Sequence, residues 1–199
     1  MNGADATSRA AKGALREDLR RRLHGLSPGE RAEHSEQIRR RCTALPEWAS
    51  SRVIALYHPR RDEPDLWPLV ESARLEGKEV VLPSHDAALA AYRWRRVDGP
   101  GDLEPGRFGI TEPSARCPEV PTPRLDLAFV PGLGFSPDGV RLGRGLGFYD
   151  RLLKSFRGRC FGVAFDFQVL PRIPRENHDV GLDGVITPSG CWFAPSGAK

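Results

Sequence analysis

Apolar and polar positions change period several times along the chain, and each change marks an element. Leu15, Leu19 and Leu23 recur every four residues among Arg, Glu and Asp over residues 8–24, which predicts an amphipathic helix with one packed stripe. Ser27-Pro28-Gly29-Glu30 reads as the next helix start, with Ser as N-cap, Pro at the first position and Glu at the third. Ala32, Ser35, Ile38 and Cys42 give that helix a small-residue face. From Arg52 to Tyr57 the chain is short and unbroken in its apolar core, VIALY, the pattern of a buried strand. Leu66, Leu69, Val70 and Ala73 return to helical spacing, closed by Gly77, and Glu79 to Leu82 begins a second strand that ends at Pro83. Tyr92-Arg93-Trp94-Arg95 alternates as a half-buried strand does, and further strands are predicted at Leu127 to Val130, Arg159 to Phe165 and Gly184 to Thr187. Strand, helix, strand order that repeats predicts an α/β fold: a three-layer sandwich around a mainly parallel sheet with helices on both faces, with residues 1–199 as a single domain. The Pro- and Gly-containing stretch from Asp98 to Pro123 reads as a long surface excursion.

The richest chemistry lies between the strand ending at Val130 and a helix starting near Phe148. Pro131-Gly132 breaks the strand, and Gly143, Gly145 and Gly147 then alternate with Arg144 and Leu146. Such a loop can turn with φ > 0 and present bare N–H groups to an anion, and the helix adds its positive dipole end. Arg141, Arg144 and Arg151 bring guanidinium groups suited to forked binding of phosphate or carboxylate. Asp150 is the exception, and a carboxylate in a phosphate-ready loop suits Mg²⁺, which prefers oxygen ligands and arrives with nucleotide phosphates. A solvated glycine turn with Asp150 at a helix start accounts for the same residues and stays open at this point. The P-loop pattern is absent, and GxGxxG fails because Phe148 stands at its third glycine.

Composition narrows the class. A hydrophobic share of 39% with 28% charged residues is that of a globular protein, and a net charge of +4, interleaved with acids, gives no nucleic-acid surface. No stretch approaches the length of a membrane span, and the four cysteines are scattered without a CxxC pair, which suits a reducing cytoplasm. A cytoplasmic protein acting on small molecules, with neither nucleic acid nor membrane as partner, is therefore expected, and it is taken to be a monomer.

The run Arg141-Leu142-Gly143-Arg144-Gly145-Leu146-Gly147-Phe148-Tyr149-Asp150, preceded by Pro131-Gly132 and Phe135, resembles the signature loop of the 5-formyltetrahydrofolate cyclo-ligase (methenyltetrahydrofolate synthetase) family. The resemblance extends to Lys12 and Arg16 on the first helix, to Tyr57-His58-Pro59 with Asp62-Glu63, and to Asn177-His178-Asp179 with Leu182-Asp183. It implies an enzyme that uses ATP and Mg²⁺ to convert 5-formyltetrahydrofolate to 5,10-methenyltetrahydrofolate. By the same resemblance Lys12 and Arg16 clamp the nucleotide, which Arg141, Gly143, Arg144, Gly145, Leu146, Gly147, Phe148, Tyr149 and Asp150 also contact. Arg144 and Lys12 act on the transferred phosphoryl group, and Asp150 and Asp183 hold Mg²⁺. His58, Glu63, Arg144, Phe148 and Tyr149 face the folate, with Trp67 a further aromatic candidate. Two positions depart from the family pattern: Leu146 stands where Gly or Lys is common, and Phe148 replaces a common Tyr. The alternatives are a paralogue that uses the same ATP site on another N-formyl or carboxylate compound, and a non-catalytic nucleotide-binding protein.

Overall fold

The structure, a computed structural model, describes residues 3–176 and 179–195; the Asn177-His178 pair of the late motif lies outside the described residues. Helix α1 (Gly3–Gly25) is followed by α2 (Pro28–Thr43), whose N-cap is Ser27 in a reciprocal capping box with Glu30, as the sequence predicts. A short α3 (Pro46–Ser50) leads into β1 (Val53–Ala55), and α4 (Pro68–Leu75) connects β1 to β2 (Glu79–Asp86). Next come β3 (Ala91–Val97), the small antiparallel pair β4 (Leu103–Pro105) and β5 (Thr111–Pro113), and β6 (Leu127–Pro131). A second small hairpin, β7 (Gly134–Phe135) and β8 (Arg141–Leu142), precedes α5 (Phe148–Leu152), and β9 (Arg159–Val163), β10 (Gly184–Ile186) and β11 (Cys191–Phe193) complete the chain.

The main sheet has the order β11-β10-β9-β6-β1-β2-β3. Its five inner strands run parallel, and β3 and β11 close the two edges antiparallel. One face packs Ile38 and Cys42 of α2, Trp48 of α3 and Leu69, Val70 and Ala73 of α4 against Ile54, Val80, Phe129 and Phe161. The other face receives Leu152 of α5 with Leu153, Phe156 and Phe135 against Ala55, Val81, Val130 and Cys160. Leu19 and Leu23 of α1 bury their stripe on Leu133, Val140 and Leu142 around the β7–β8 hairpin. This is the expected three-layer α/β arrangement.

Three local expectations are corrected. Strand β2 continues through Pro83 to Asp86, because Pro83 stands past the end of β1, where no strand would receive the N–H it lacks, while its other edge pairs with β3. The glycine loop leads into a helix of only five residues, so backbone N–H groups rather than a long helix dipole shape its electrostatics. Residues 98–123 do more than run over the surface: β5 is stitched to β2 by Ser84 Oγ donating to Pro113 O at 2.8 Å and by His85 N donating to Glu112 Oε2 at 2.8 Å. All four cysteines are free. No helix is long and apolar enough to cross a membrane among the described residues.

Candidate active site

Strand β1 is where the chain order of the sheet reverses, with β2 on one side and β6 on the other. Ligands of open α/β sheets sit beyond strand C-termini at such a point. Here a cavity of about 580 Å³ opens there, lined by Tyr57, His58 and Glu63 after β1, Pro83 of β2, Pro131 and Gly132 at the end of β6, and residues 141–150. Lys12 and Arg16 enter it from α1, and Glu176 and Asp179 from the late loop. Segments 12–16, 58–63 and 141–150, far apart in sequence, meet in one space.

Most charged groups in this space have a defined partner. Lys12 is buried, with Nζ 2.8 Å from Asp179 Oδ2 and 3.3 Å from Glu176 Oε1. Arg16 Nε donates to Gly143 O at 2.9 Å, fastening α1 to the glycine loop. Arg141 is buried and places Nη2 3.1 Å from both oxygens of Asp150. Its Nε is buried and has no hydrogen-bond partner among the described residues. Arg144 spans from the loop to the segment after β1, with Nη2 2.8 Å from Asp62 Oδ1 and 3.0 Å from Glu63 Oε1. Glu63 also accepts from Arg60 N at 3.1 Å. Burial pushes the Glu63 carboxyl above its ordinary range, and Arg144 holds it partly back.

The loop takes this path because Gly145 and Gly147 adopt φ of 106° and 63°, which side-chain-bearing residues rarely tolerate. Past Gly147, Arg151 caps the turn by donating to Leu146 O at 3.1 Å and lies over the Phe148 ring. Leu146 itself is exposed. Phe148 packs against Tyr92 with ring centroids 4.7 Å apart and planes tilted by 52°, and Tyr149 is half-buried beneath Arg141, 5.3 Å from the guanidinium carbon to the ring centroid. Burial raises the Tyr149 phenol far above its ordinary value, so its hydroxyl stays protonated. His58 lies against Trp67 at 5.4 Å, and partial burial lowers its pKa.

Of the predicted site residues, the cavity lining leaves out Trp67, which packs on His58, and Asp183. The latter stands at the start of β10, opposite the entry to β9, where Oδ1 accepts from Arg159 Nη1 and Oδ2 from Cys160 N at 2.8 and 2.7 Å. The cavity is at the other end of these parallel strands, so Asp183 stands at a strand start away from the cavity that Asp150 lines. Asp179, four positions earlier, takes the place beside Lys12. The described residues hold no group of three or more His, Cys, Asp or Glu side chains able to cage a metal. Magnesium held through one or two carboxylates, water and phosphate needs no such group, so Asp150 and Asp179 fit that mode. Sequence reasoning also missed Tyr92, Glu112 and Glu176, and nothing local to these residues distinguishes them.

The profile of the 5-formyltetrahydrofolate cyclo-ligase family matches residues 8–188. The chain belongs to this family. Similar proteins named 5-formyltetrahydrofolate cyclo-ligase include one from Escherichia coli K12, 31% identical over 179 residues and covering 87% of this chain and 98% of its own. Another, from Mycolicibacterium smegmatis, is 32% identical over 187 residues, with coverage of 89% and 94%. Among solved structures, the 5,10-methenyltetrahydrofolate synthetase of Aquifex aeolicus superposes with a TM-score of 0.83 at 37% identity, covering 94% of each chain. Cyclo-ligase relatives thus match nearly end to end, and the match includes α1, which carries Lys12 and Arg16.

Proposed function

We propose that the protein converts 5-formyltetrahydrofolate and ATP to 5,10-methenyltetrahydrofolate, ADP and phosphate with Mg²⁺ bound. The observation that carries this reading is the meeting of Lys12, Arg16, the 141–150 loop and Glu63 in one cavity at the reversal point of the sheet. The cavity lining combines cations and glycine N–H groups suited to phosphate with Phe148, Tyr92 and Tyr57 suited to a flat ring.

An N-formyl group is a poor electrophile because its nitrogen lone pair is delocalised into the carbonyl. In the proposed reaction the formyl oxygen attacks the γ-phosphorus and ADP leaves. The N10 lone pair then adds to the activated carbon, the C–O bond breaks with loss of phosphate, and the N10 proton goes to solvent. Such chemistry needs alignment and charge neutralisation rather than an enzyme nucleophile. Lys12 and Arg16 bind nucleotide phosphate, and Arg141 adds positive charge to the same wall beside Asp150. Arg144 exchanges its carboxylate partners for the transferred group. Asp150 and Asp179 hold Mg²⁺, which supplies charge neutralisation to the phosphates when bound. Glu63, released from Arg144, turns to the folate with His58, and Tyr149 and Phe148 complete the ring-binding wall. The enzyme is read as a cytoplasmic monomer.

The test is to mix the purified protein with 5-formyltetrahydrofolate and Mg·ATP and follow the methenyl chromophore, with ATP omitted as control. ATP-dependent growth of the chromophore is expected. Its absence in a folded protein that binds ATP would transfer the reading to a paralogue acting on another N-formyl or carboxylate compound.

A further inference from the structure

One buried carboxylate in the cavity has no part in the scheme above. Glu112 of β5 is 5% exposed and lines the cavity from the side of the β2–β3 edge. Its Oε1 accepts from Tyr92 Oη at 3.1 Å and its Oε2 from His85 N at 2.8 Å, both neutral donors. Every other cavity carboxylate is tied to a cation: Glu63 to Arg144, Asp150 to Arg141, Glu176 and Asp179 to Lys12. Among the described residues Glu112 makes no ion pair. The backbone makes room for it, since a Cβ on Gly106 would stand 2.6 Å from Glu112 Cδ.

Burying a carboxylate is costly unless hydrogen bonds satisfy it, and a carboxylate offers about four lone-pair sites. Two of these are used. Burial, together with the negative charge of Glu112 beside it, pushes the Tyr92 phenol up to about 12, so it remains a donor and keeps the carboxyl group turned to one side. The Tyr92 ring in turn packs on Phe148 at 4.7 Å, forming an aromatic wall beside the carboxylate. An acceptor with spare capacity next to a ring-stacking surface suits a flat heterocycle that carries N–H groups on its edge.

The geometry points to Glu112 as a second substrate-recognition carboxylate, which accepts a hydrogen bond from a nitrogen-borne donor of the reduced folate, with Tyr92 as its positioning residue. This rests on the folate reading given above. Glu63 and Glu112 then approach the ring from two elements that have no sequence proximity, one after β1 and one on β5. Specificity of this kind is strong, because an acceptor left without its donor is penalised on every wrong ligand.

The test is the split between the two Michaelis constants. Glu112→Gln keeps size and one acceptor for His85 N but removes the charge and one acceptor oxygen. It is expected to raise KM for 5-formyltetrahydrofolate by about 10- to 100-fold, the range of a lost charge-assisted hydrogen bond, and leave KM for ATP within about twofold. Tyr92→Phe, which removes only the positioning bond, is expected to show the same split at about 3- to 10-fold. Folate KM unchanged in Glu112→Gln, or both constants rising together as a loosened wall would cause, overturns the inference. If Glu112→Gln does not fold, Tyr92→Phe decides by the same criterion. A wild-type protein without turnover of 5-formyltetrahydrofolate overturns the folate reading and this inference together, whereas an active wild type with an unaltered split overturns the inference alone.

Discussion

Removing the Arg144 side chain tests how the glycine loop is coupled to the segment after β1. Arg144 is 27% exposed on its side chain and bridges Asp62 and Glu63, which are 21% and 6% exposed. Breaking a fully buried pair costs about 3–5 kcal/mol because one charge is left stranded. Partial exposure of Arg144 and Asp62 lowers that figure to about 2 kcal/mol for Arg144→Ala. For a chain of this length the loss corresponds to roughly 4–8 °C in the unfolding midpoint. The loss should depend on pH with a definite sign. Burial raises the Glu63 pKa in the folded state, so the folded protein binds this proton more tightly than the unfolded chain does. That contribution favours folding below the unfolded carboxyl pKa and is lost as pH rises through the folded value. Arg144 opposes the shift, so its removal raises the folded pKa further and widens the window. The midpoint difference between wild type and Arg144→Ala should therefore be small in acid, where Glu63 is protonated, and grow towards neutral pH. Glu63→Gln in the Arg144→Ala background should recover part of the loss at neutral pH. Thermal unfolding across pH on all three proteins measures this; a pH-independent offset, or a double variant weaker than Arg144→Ala throughout, would refute the reasoning.

Two other expectations concern the carboxylates. Asp150→Asn should lose Mg·ATP-dependent turnover by about 100-fold or more while keeping the fold, since the amide still accepts one bond from Arg141; unchanged methenyl formation would remove Asp150 from the metal site. Asp183→Asn should instead lower stability by about 1–2 kcal/mol, through weaker bonds to Arg159 and Cys160 N, and leave kcat of the folded protein within about twofold. A selective loss of Mg²⁺ dependence in Asp183→Asn would reverse the placement of that residue.

The late motif shows the limit of sequence reading most clearly. Asp179 and Asp183 both sit in a polar, glycine-containing stretch, and neither spacing nor charge separates them. The register does: Asp183 stands opposite the first residues of β9, so it is fixed at the strand start, away from the cavity. Glu112 is a comparable case, because its cavity position depends on β5 folding back onto β2 across more than twenty residues. Pro83 likewise reads as a stop in sequence, and only the length of β1 beside it makes it an ordinary strand residue.

What the sequence by itself determined is local or periodic. The α1 stripe, the Ser27 capping box, the buried strands and the glycine loop are set by interactions within a few residues, and their patterns survive without knowledge of the fold. The glycine loop was legible from its own residues, and Lys12, Arg16, His58 and Glu63 only through the family resemblance; together they do line one cavity. Tertiary structure alone decided that Glu112, Glu176 and Asp179 join Glu63 and Asp150 in the cavity, which cation each ion-paired carboxylate meets, and that the 98–123 segment contributes to its wall. These are long-range pairings, fixed by strand order and register, and composition and spacing along one chain carry no record of them.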